Sequence, residues 1–314
     1  MKNMVEIEEE NWRNKPLTEF AREKIEYAGK RKTTVMEVQV EPQEKPVRKT
    51  EAKAKEQKEP EIGNAPERIV LPYARFREVF NLLNTVVDEA RFEFKTDGLH
   101  VRAMDPAHVA LIDLHMPRSA FSEYYFEKDC EWAIDVKDLK KSIPKGSRGD
   151  VLSLQRTENR IKAWIGPFVK EYELLDPQMV GTKPKIPDLN PDVSFTMGQY
   201  ELRETFKGAS DVSDAIRFEL NKERLTFRSF SDGGEFKAEF PANMIKEIVC
   251  NGAVKSSYPL EYLLKLFKAM KTVDEVKTSF NDDYPLIAEF RLASTMGMGE
   301  RPEVKYLLAP RMEQ

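Results

Sequence analysis

Between residues 68 and 314 the chain carries one pattern of strands and helices twice, and this duplication narrows the possible folds more than any other feature. In the first copy, Ala90-Arg-Phe-Glu-Phe-Lys alternates apolar and polar residues up to Asp97-Gly98, and Leu99-His-Val-Arg-Ala-Met resumes the alternation. An Asp-Gly pair between two such runs signals a hairpin, because the turn needs a backbone conformation open to glycine. Val109 to Met116 supplies a third strand. The second copy repeats the plan as Ala215-Ile-Arg-Phe-Glu-Leu, Leu225-Thr-Phe-Arg-Ser-Phe and Glu235-Phe-Lys-Ala-Glu-Phe, with turns at 221–224 and 232–234. Asp88 and Asp214 stand 126 residues apart, and Pro117 and Pro241 stand 124 apart.

Helices keep the same offset. Val79, Phe80, Leu82, Leu83, Val86 and Val87 precede the first hairpin, and Leu202, Phe206, Ala209 and Val212 precede the second. After the strands come Val136-Lys-Asp-Leu-Lys-Lys-Ser-Ile and, 124 residues on, Leu260-Glu-Tyr-Leu-Leu-Lys-Leu-Phe-Lys-Ala-Met. Each copy thus reads as an α+β domain with two short helices and many strands.

Composition divides the rest. Residues 1–66 hold 14 Lys+Arg and 14 Asp+Glu, and Glu41 to Pro66 has four prolines with Val47 and Ile62 as its large apolar residues. Such a segment cannot offset its ordering entropy, so a flexible linker is expected. Ahead of it, Leu17, Phe20, Ala21 and Ile25 share a helical face up to Tyr27, either a partly ordered tail or a docking element. Pro177, Pro184, Pro187 and Pro191 mark an extended connector between the copies. The expected division is an extension at 1–66, a first domain at 67–177, a connector at 178–193 and a second domain at 194–314.

Several function classes drop out. With 33% charged residues and no apolar run near 18, no membrane span is expected, and the Glu- and Asn-rich first 20 residues do not read as a signal peptide. An intracellular soluble protein is the expectation. Cys130 and Cys250 lie 120 apart without CxxC spacing, and His100, His108 and His115 bring no cysteine partners, so neither a disulfide nor a metal or other cofactor is expected. Asp105, Asp113 and Asp135 form no D-x-D or H-E-x-x-H arrangement, and no phosphate-cradling glycine motif occurs; Gly297-Met298-Gly299 lacks the Lys-Ser ending. A metal-dependent DNA-processing enzyme is therefore the weak rival reading.

A net charge of −4 demands that any nucleic-acid surface be a segregated one. The helices supply it: Arg75 and Arg77 in the first, Lys137, Lys140, Lys141 and Lys145 at or just beyond the second, Arg203 and Lys207 in the third, Lys265, Lys268 and Lys271 in the fourth. Lys137, Lys140, Lys141 and Lys145 at i, i+3, i+4 and i+8, Arg203 and Lys207 at i, i+4, and Lys265 and Lys268 at i, i+3 each share a helix side. Any one set alone reads as a solvated face; four basic helices in an acidic chain point to a lining that binds phosphates without sequence preference.

Three motifs carry a resemblance: Val87-Asp-Glu-Ala-Arg-Phe, then Asp97-Gly-Leu-His-Val-Arg-Ala-Met-Asp-Pro-Ala-His-Val-Ala-Leu-Ile-Asp-Leu, and Tyr306-Leu-Leu-Ala-Pro-Arg-Met-Glu. Over residues 68–314 the chain resembles sliding clamps of the proliferating cell nuclear antigen (PCNA) type, its archaeal members above all. The resemblance implies a homotrimeric ring of two-domain protomers, helices lining the hole and sheets outside, threaded by double-stranded DNA and lacking an active site. It also implies a clamp loader, replication factor C, and partners bearing PIP-box peptides, such as DNA polymerase, flap endonuclease and DNA ligase. Their pocket maps onto Met104, His108, Val109 and Leu111; Ile186 and Pro187; and Pro285, Leu286, Tyr306, Leu308, Ala309 and Pro310. Met104 and Leu111 read equally as core. Ile186, apolar within a proline-rich connector, has no strand to belong to. A subunit of a hetero-oligomeric or checkpoint clamp is the alternative within the family. The location implied is the nucleoid-bearing cytoplasm for an archaeal protein and the nucleus for a eukaryotic one.

Overall fold

The computed structural model describes residues 67–147, 149–294 and 299–312. The expected Leu17–Tyr27 helix, the linker after it and the Gly297-Met298 loop lie outside them.

The first half runs β1 (Glu67–Pro72), α1 (Tyr73–Leu83), β2 (Glu89–Lys95), β3 (Gly98–Met104), β4 (Ala110–Pro117), β5 (Glu123–Phe126), β6 (Cys130–Asp135), α2 (Val136–Ser142), β7 (Val151–Thr157), β8 (Arg160–Ile165) and β9 (Phe168–Glu173). The second runs β10 (Val193–Gly198), α3 (Gln199–Ser210), β11 (Ala215–Leu220), β12 (Arg224–Ser231), β13 (Gly234–Pro241), β14 (Glu247–Val249), β15 (Val254–Pro259), α4 (Leu260–Ala269), β16 (Glu275–Phe280), β17 (Leu286–Arg291) and β18 (Glu303–Leu308).

Strand pairing reproduces the duplication. One sheet of the first half orders its strands β6-β2-β3-β4 and the other β5-β1-β7-β8-β9; the second half has β15-β11-β12-β13 and β14-β10-β16-β17-β18. The halves join where β18 pairs antiparallel with β4, Tyr306 opposite Ile112 and Val304 opposite Leu114, so two sheets fuse into one of nine strands. Packing repeats too. Phe80 of α1 stacks on Phe92 of β2 with ring centroids 5.4 Å apart, and Phe206 of α3 stacks on Phe218 of β11 at 5.8 Å, each residue 126 positions from its counterpart. Offset stacking of buried rings contributes about 0.5–1.5 kcal/mol beyond area burial.

Gly98 shows why the first hairpin needs glycine. Its φ is +143°, and a Cβ there would stand 2.3 Å from the Met116 carbonyl oxygen and 2.8 Å from the Arg118 nitrogen.

The four helices lie in a row, α2 against α1, α1 against α4 and α4 against α3. Each buries one side: Phe76, Val79, Phe80 and Leu83 on α1, Val136 and Leu139 on α2, Leu202, Phe206 and Ala209 on α3, Leu263, Leu266 and Phe267 on α4. That 3.6-residue periodicity leaves a polar face for solvent. Asp135 caps α2 by accepting from the Asp138 N–H at 2.6 Å.

Candidate functional site

On the polar side of the helix row, the basic residues divide by burial. Lys141, Lys207 and Lys268 are exposed on their helices, and no ion pair engages them among the described residues. Lys137 is exposed but donates to Asp88 at 2.7 Å; that hydrogen bond raises its pKa. Lys140 is half-buried, donates to the Asn84 side chain, and has its pKa lowered first by burial and then by Arg77. Arg77, also half-buried, donates to the Lys140 carbonyl at 3.2 Å. Arg203 pairs with the adjacent Glu204 at 3.1 Å, and Lys265 pairs with Glu261 one turn earlier.

Two sequence expectations, Arg75 and Lys271, need correction, while Lys145 stands just beyond its helix as expected. Arg75 is buried, 3% exposed, pairing with Glu78 at 2.6 Å and donating to the Ala293 carbonyl of the second half. Burial lowers its pKa, and it fastens the halves instead of facing solvent. Lys145 lies past the end of α2, because Pro144 disfavours helical backbone at the preceding residue and Ile143 is extended. Lys271 likewise follows α4, which ends at Ala269. The two lysines are exposed, but on loops. The helices also differ in charge: Glu201 and Glu204 offset Arg203 and Lys207 on α3, which concentrates the positive excess on α2 and the end of α4.

The opposite face of the nine-stranded sheet bears a separate small apolar cluster. Leu111, Ile287 and Leu307 are buried side by side on β4, β17 and β18, with Met104 and the connector residues Ile186 and Leu189 packed against them. Period-2 alternation explains the set. Leu307 faces Leu111 and Ile287 across its two ladders, while Val304, Tyr306 and Leu308 point to the main core. Leu286, Tyr306 and Leu308 are therefore core residues, at most 1% exposed, and not pocket lining as expected. Ile287, Leu307 and Leu189 were missed.

The rims are anchored. Asp105, 5% exposed, accepts from the Val109 and Ala110 N–H groups at 2.7 and 2.6 Å and from the Tyr262 hydroxyl of α4 at 2.9 Å. Burial, then the bond to Asp105, pushes the Tyr262 pKa up to about 12, which keeps the phenol a donor. His108 sits exposed at φ 59° on this loop, and the half-buried Ala309 donates its N–H to the Val109 carbonyl at 2.8 Å. Val109, Pro285 and Pro310 are half-buried and Pro187 is exposed. Ahead of the cluster the connector is tied to β2 by Arg91, which donates to the Val180 carbonyl at 2.8 Å, and by a Lys183–Glu93 pair at 2.7 Å.

Comparison with known proteins agrees with this architecture. Residues 72–164 match the N-terminal domain of proliferating cell nuclear antigen and residues 185–310 its C-terminal domain. The DNA polymerase sliding clamp of Thermoplasma acidophilum is 38% identical over 247 residues, covering 79% of this chain and 99% of the relative. That of Picrophilus torridus is 39% identical over 246 residues, covering 78% and 99%. Among solved structures, A. fulgidus PCNA bound to the C-terminal region of FEN-1 aligns with TM-score 0.71 and 26% identity over 79% of this chain and 99% of that one. PCNA from Thermococcus kodakaraensis aligns with TM-score 0.70 and 28% identity over 78% and 100%. The chain thus belongs to the proliferating cell nuclear antigen family, the DNA sliding clamps that confer processivity and catalyse no reaction themselves.

Proposed function

We propose that three copies of this chain close head to tail into a ring around duplex DNA and carry a polymerase and repair enzymes along it. The carrying observation is an edge left open. Strand for strand, β9 is the counterpart of β18 and β13 that of β4; β18 and β4 are joined, whereas β9 and β13 each end a sheet. An unpaired edge is a template for another chain. A second copy offering β13 to β9 repeats the internal joint, with Phe168 in the role of Val304 set beside Ala238 in the role of Leu114. Phe168 and Val169 are 57% and 53% exposed in the single chain, which fits a surface awaiting a partner.

Exposed Lys141, Lys207 and Lys268, with Lys145 and Lys271 on adjoining loops, supply phosphate contacts of no sequence preference. Lys141→Glu should reduce loading onto nicked circular DNA and flatten the salt dependence by about 0.9 per lost contact. Unchanged loading and an unchanged slope in that variant would remove α2 from the DNA surface.

The apolar cluster under the connector, edged by Ala309 and Pro310, is the reading's peptide groove. It suits a short peptide with aliphatic and aromatic anchors, carried by PIP-box proteins such as DNA polymerase, flap endonuclease and DNA ligase. The FEN-1 segment bound to the A. fulgidus relative supports this. Opening such a ring needs an external ATP-driven loader of the replication factor C type. A homotrimer mass for the purified chain favours this reading over a hetero-oligomeric clamp, and a lone-chain monomer the reverse. Action at the nucleoid follows for a chain similar to the sliding clamps of Thermoplasma acidophilum and Picrophilus torridus.

A further inference from the structure

The hairpin that Gly98 shapes brings together three metal-ligating side chains that are scattered in sequence. His100 on β3 and His115 on β4 are directly opposed in the ladder, and their rings stack with centroids 4.4 Å apart at 17°. Asp97, in the turn, reaches both: its carboxylate oxygens lie 2.9 and 3.0 Å from His100 Nε2, and one lies 3.7 Å from His115 Nε2. One ligand atom from each of the three residues falls within a 4.8 Å span.

We propose that Asp97, His100 and His115 bind one divalent transition-metal ion on the outer face of the nine-stranded sheet. Ligands about 2.0–2.2 Å from a shared tetrahedral ion stand roughly 3.3–3.5 Å apart, so these atoms need shift by less than an ångström or so. Two imidazoles and one carboxylate suit Zn²⁺, Co²⁺ or Cu²⁺ and disfavour Mg²⁺, which prefers oxygen. The cluster is also held in place. The Arg118 N–H donates to the Asp97 carbonyl at 2.8 Å, and the Tyr124 hydroxyl donates toward the Lys95 and Gly98 carbonyls at 2.7 and 2.9 Å, fixing the turn from outside the ligand set. His115 Nε2 is buried from solvent and has no hydrogen-bond partner, a lone polar atom aimed into the cluster.

Neighbouring charges leave this set free. Glu93 and Glu303 flank the histidines across the ladders, but Glu93 pairs with Lys95 and Lys183, and Glu303 with Arg291 at 2.6 Å. Arg102 is engaged by Asp113 at 2.9 Å. Asp97 is the carboxylate left to the imidazoles. An ion here ties the β2–β3 turn to β4, the strand that seams the two halves.

The test is calorimetric titration of the chelator-treated full chain with Zn²⁺, with visible absorption of the Co²⁺ form alongside. The expected result is one Zn²⁺ per chain, undisturbed by a thousandfold excess of Mg²⁺, and a thermal midpoint raised by the ion. His100→Ala and His115→Ala should each weaken binding at least tenfold and abolish the Co²⁺ bands. Asp97→Asn, which alters no strand residue, reads the same site should either histidine variant fail to fold. Absence of stoichiometric Zn²⁺ binding by the parent chain overturns the proposal. So does equal affinity in parent and His100→Ala/His115→Ala, which would assign the ion to other groups.

Discussion

Helices α1 and α3 occupy equivalent places in the two halves, yet their surfaces have opposite fates. On α1, Arg75 and Glu78 are buried as an ion pair at 2.6 Å; Glu78 also accepts from Thr272, and Arg75 reaches Ala293. On α3 the positions 126 residues later are Glu201 and Glu204, both exposed. The same contrast holds at the edges, where β4 is covered by β18 while β13 is bare. Local sequence does not decide between these outcomes. A neighbouring half does, and in the proposed ring the bare β13 edge is where the next protomer would take the place that β18 takes on β4.

Removing one member of the covered pair should have the largest effect. Glu78→Ala removes the carboxylate from this buried ion pair, a change that typically costs about 3–5 kcal/mol. The equivalent Glu204→Ala should stay within about 0.5 kcal/mol, as exposed substitutions do. Urea unfolding of the two variants tests the contrast directly; similar losses would mean that burial at α1 contributes nothing specific.

The open edge comes next. Phe168→Asp places a charge where β9 is to meet β13, and a hot-spot loss of about 2 kcal/mol or more recurs at every joint of a ring. Light scattering should then report a monomer that keeps the parent's circular dichroism. A variant that remains trimeric would place the subunit joint elsewhere.

Leu307 and Leu308 turn the comparison to the two faces of one strand. Leu307→Ala should weaken a polymerase-derived PIP-box peptide by roughly 2 kcal/mol, about thirtyfold, as should Ile186→Ala and Ala309→Asp. Leu308→Ala opens a cavity in the main core instead, costing about 2–5 kcal/mol of stability while leaving peptide affinity within a fewfold. Calorimetry on both separates the roles, and an unchanged affinity in Leu307→Ala would empty the proposed groove of its central residue.

These cases show what the sequence could and could not reveal. The duplication, the Asp97-Gly98 hairpin and strands β2, β11 and β12 were legible because alternation and turn chemistry are local. Tyr306-Leu307-Leu308 was not, since three consecutive apolar residues carry no alternation and only pairing with β4 and β17 sets the inward face. Arg75 lay within a plausible basic helix face, and the partner that buries it, Ala293, is 218 residues away. His100 and His115 follow no metal-ligand spacing because ladder register, rather than sequence interval, makes them neighbours.

The smallest effect concerns one carboxylate present in both copies. Asp88 and its counterpart Asp214 both have pKa values below the ordinary 3.8, the first chiefly through the hydrogen bond from Lys137 and the second through that from Arg311 at 2.6 Å. With folded values depressed, the stabilisation is present in full above the unfolded value and fades as pH falls through the folded one. Both sites are exposed, so solvent screening keeps their contribution to unfolding small, and the titration itself is the better readout. In a carboxyl-carbon NMR titration, Lys137→Met should return Asp88 toward 3.8 and leave Asp214 unmoved, while Arg311→Met should do the reverse. The two partners come from different elements, α2 in one half and the C-terminal tail in the other, so the exchange of effects tests whether the duplication keeps a charge while changing its source. If Asp88 keeps its depressed value in Lys137→Met, then Asn84, which also donates to it at 2.9 Å, and the positive charge of Lys141 hold it there.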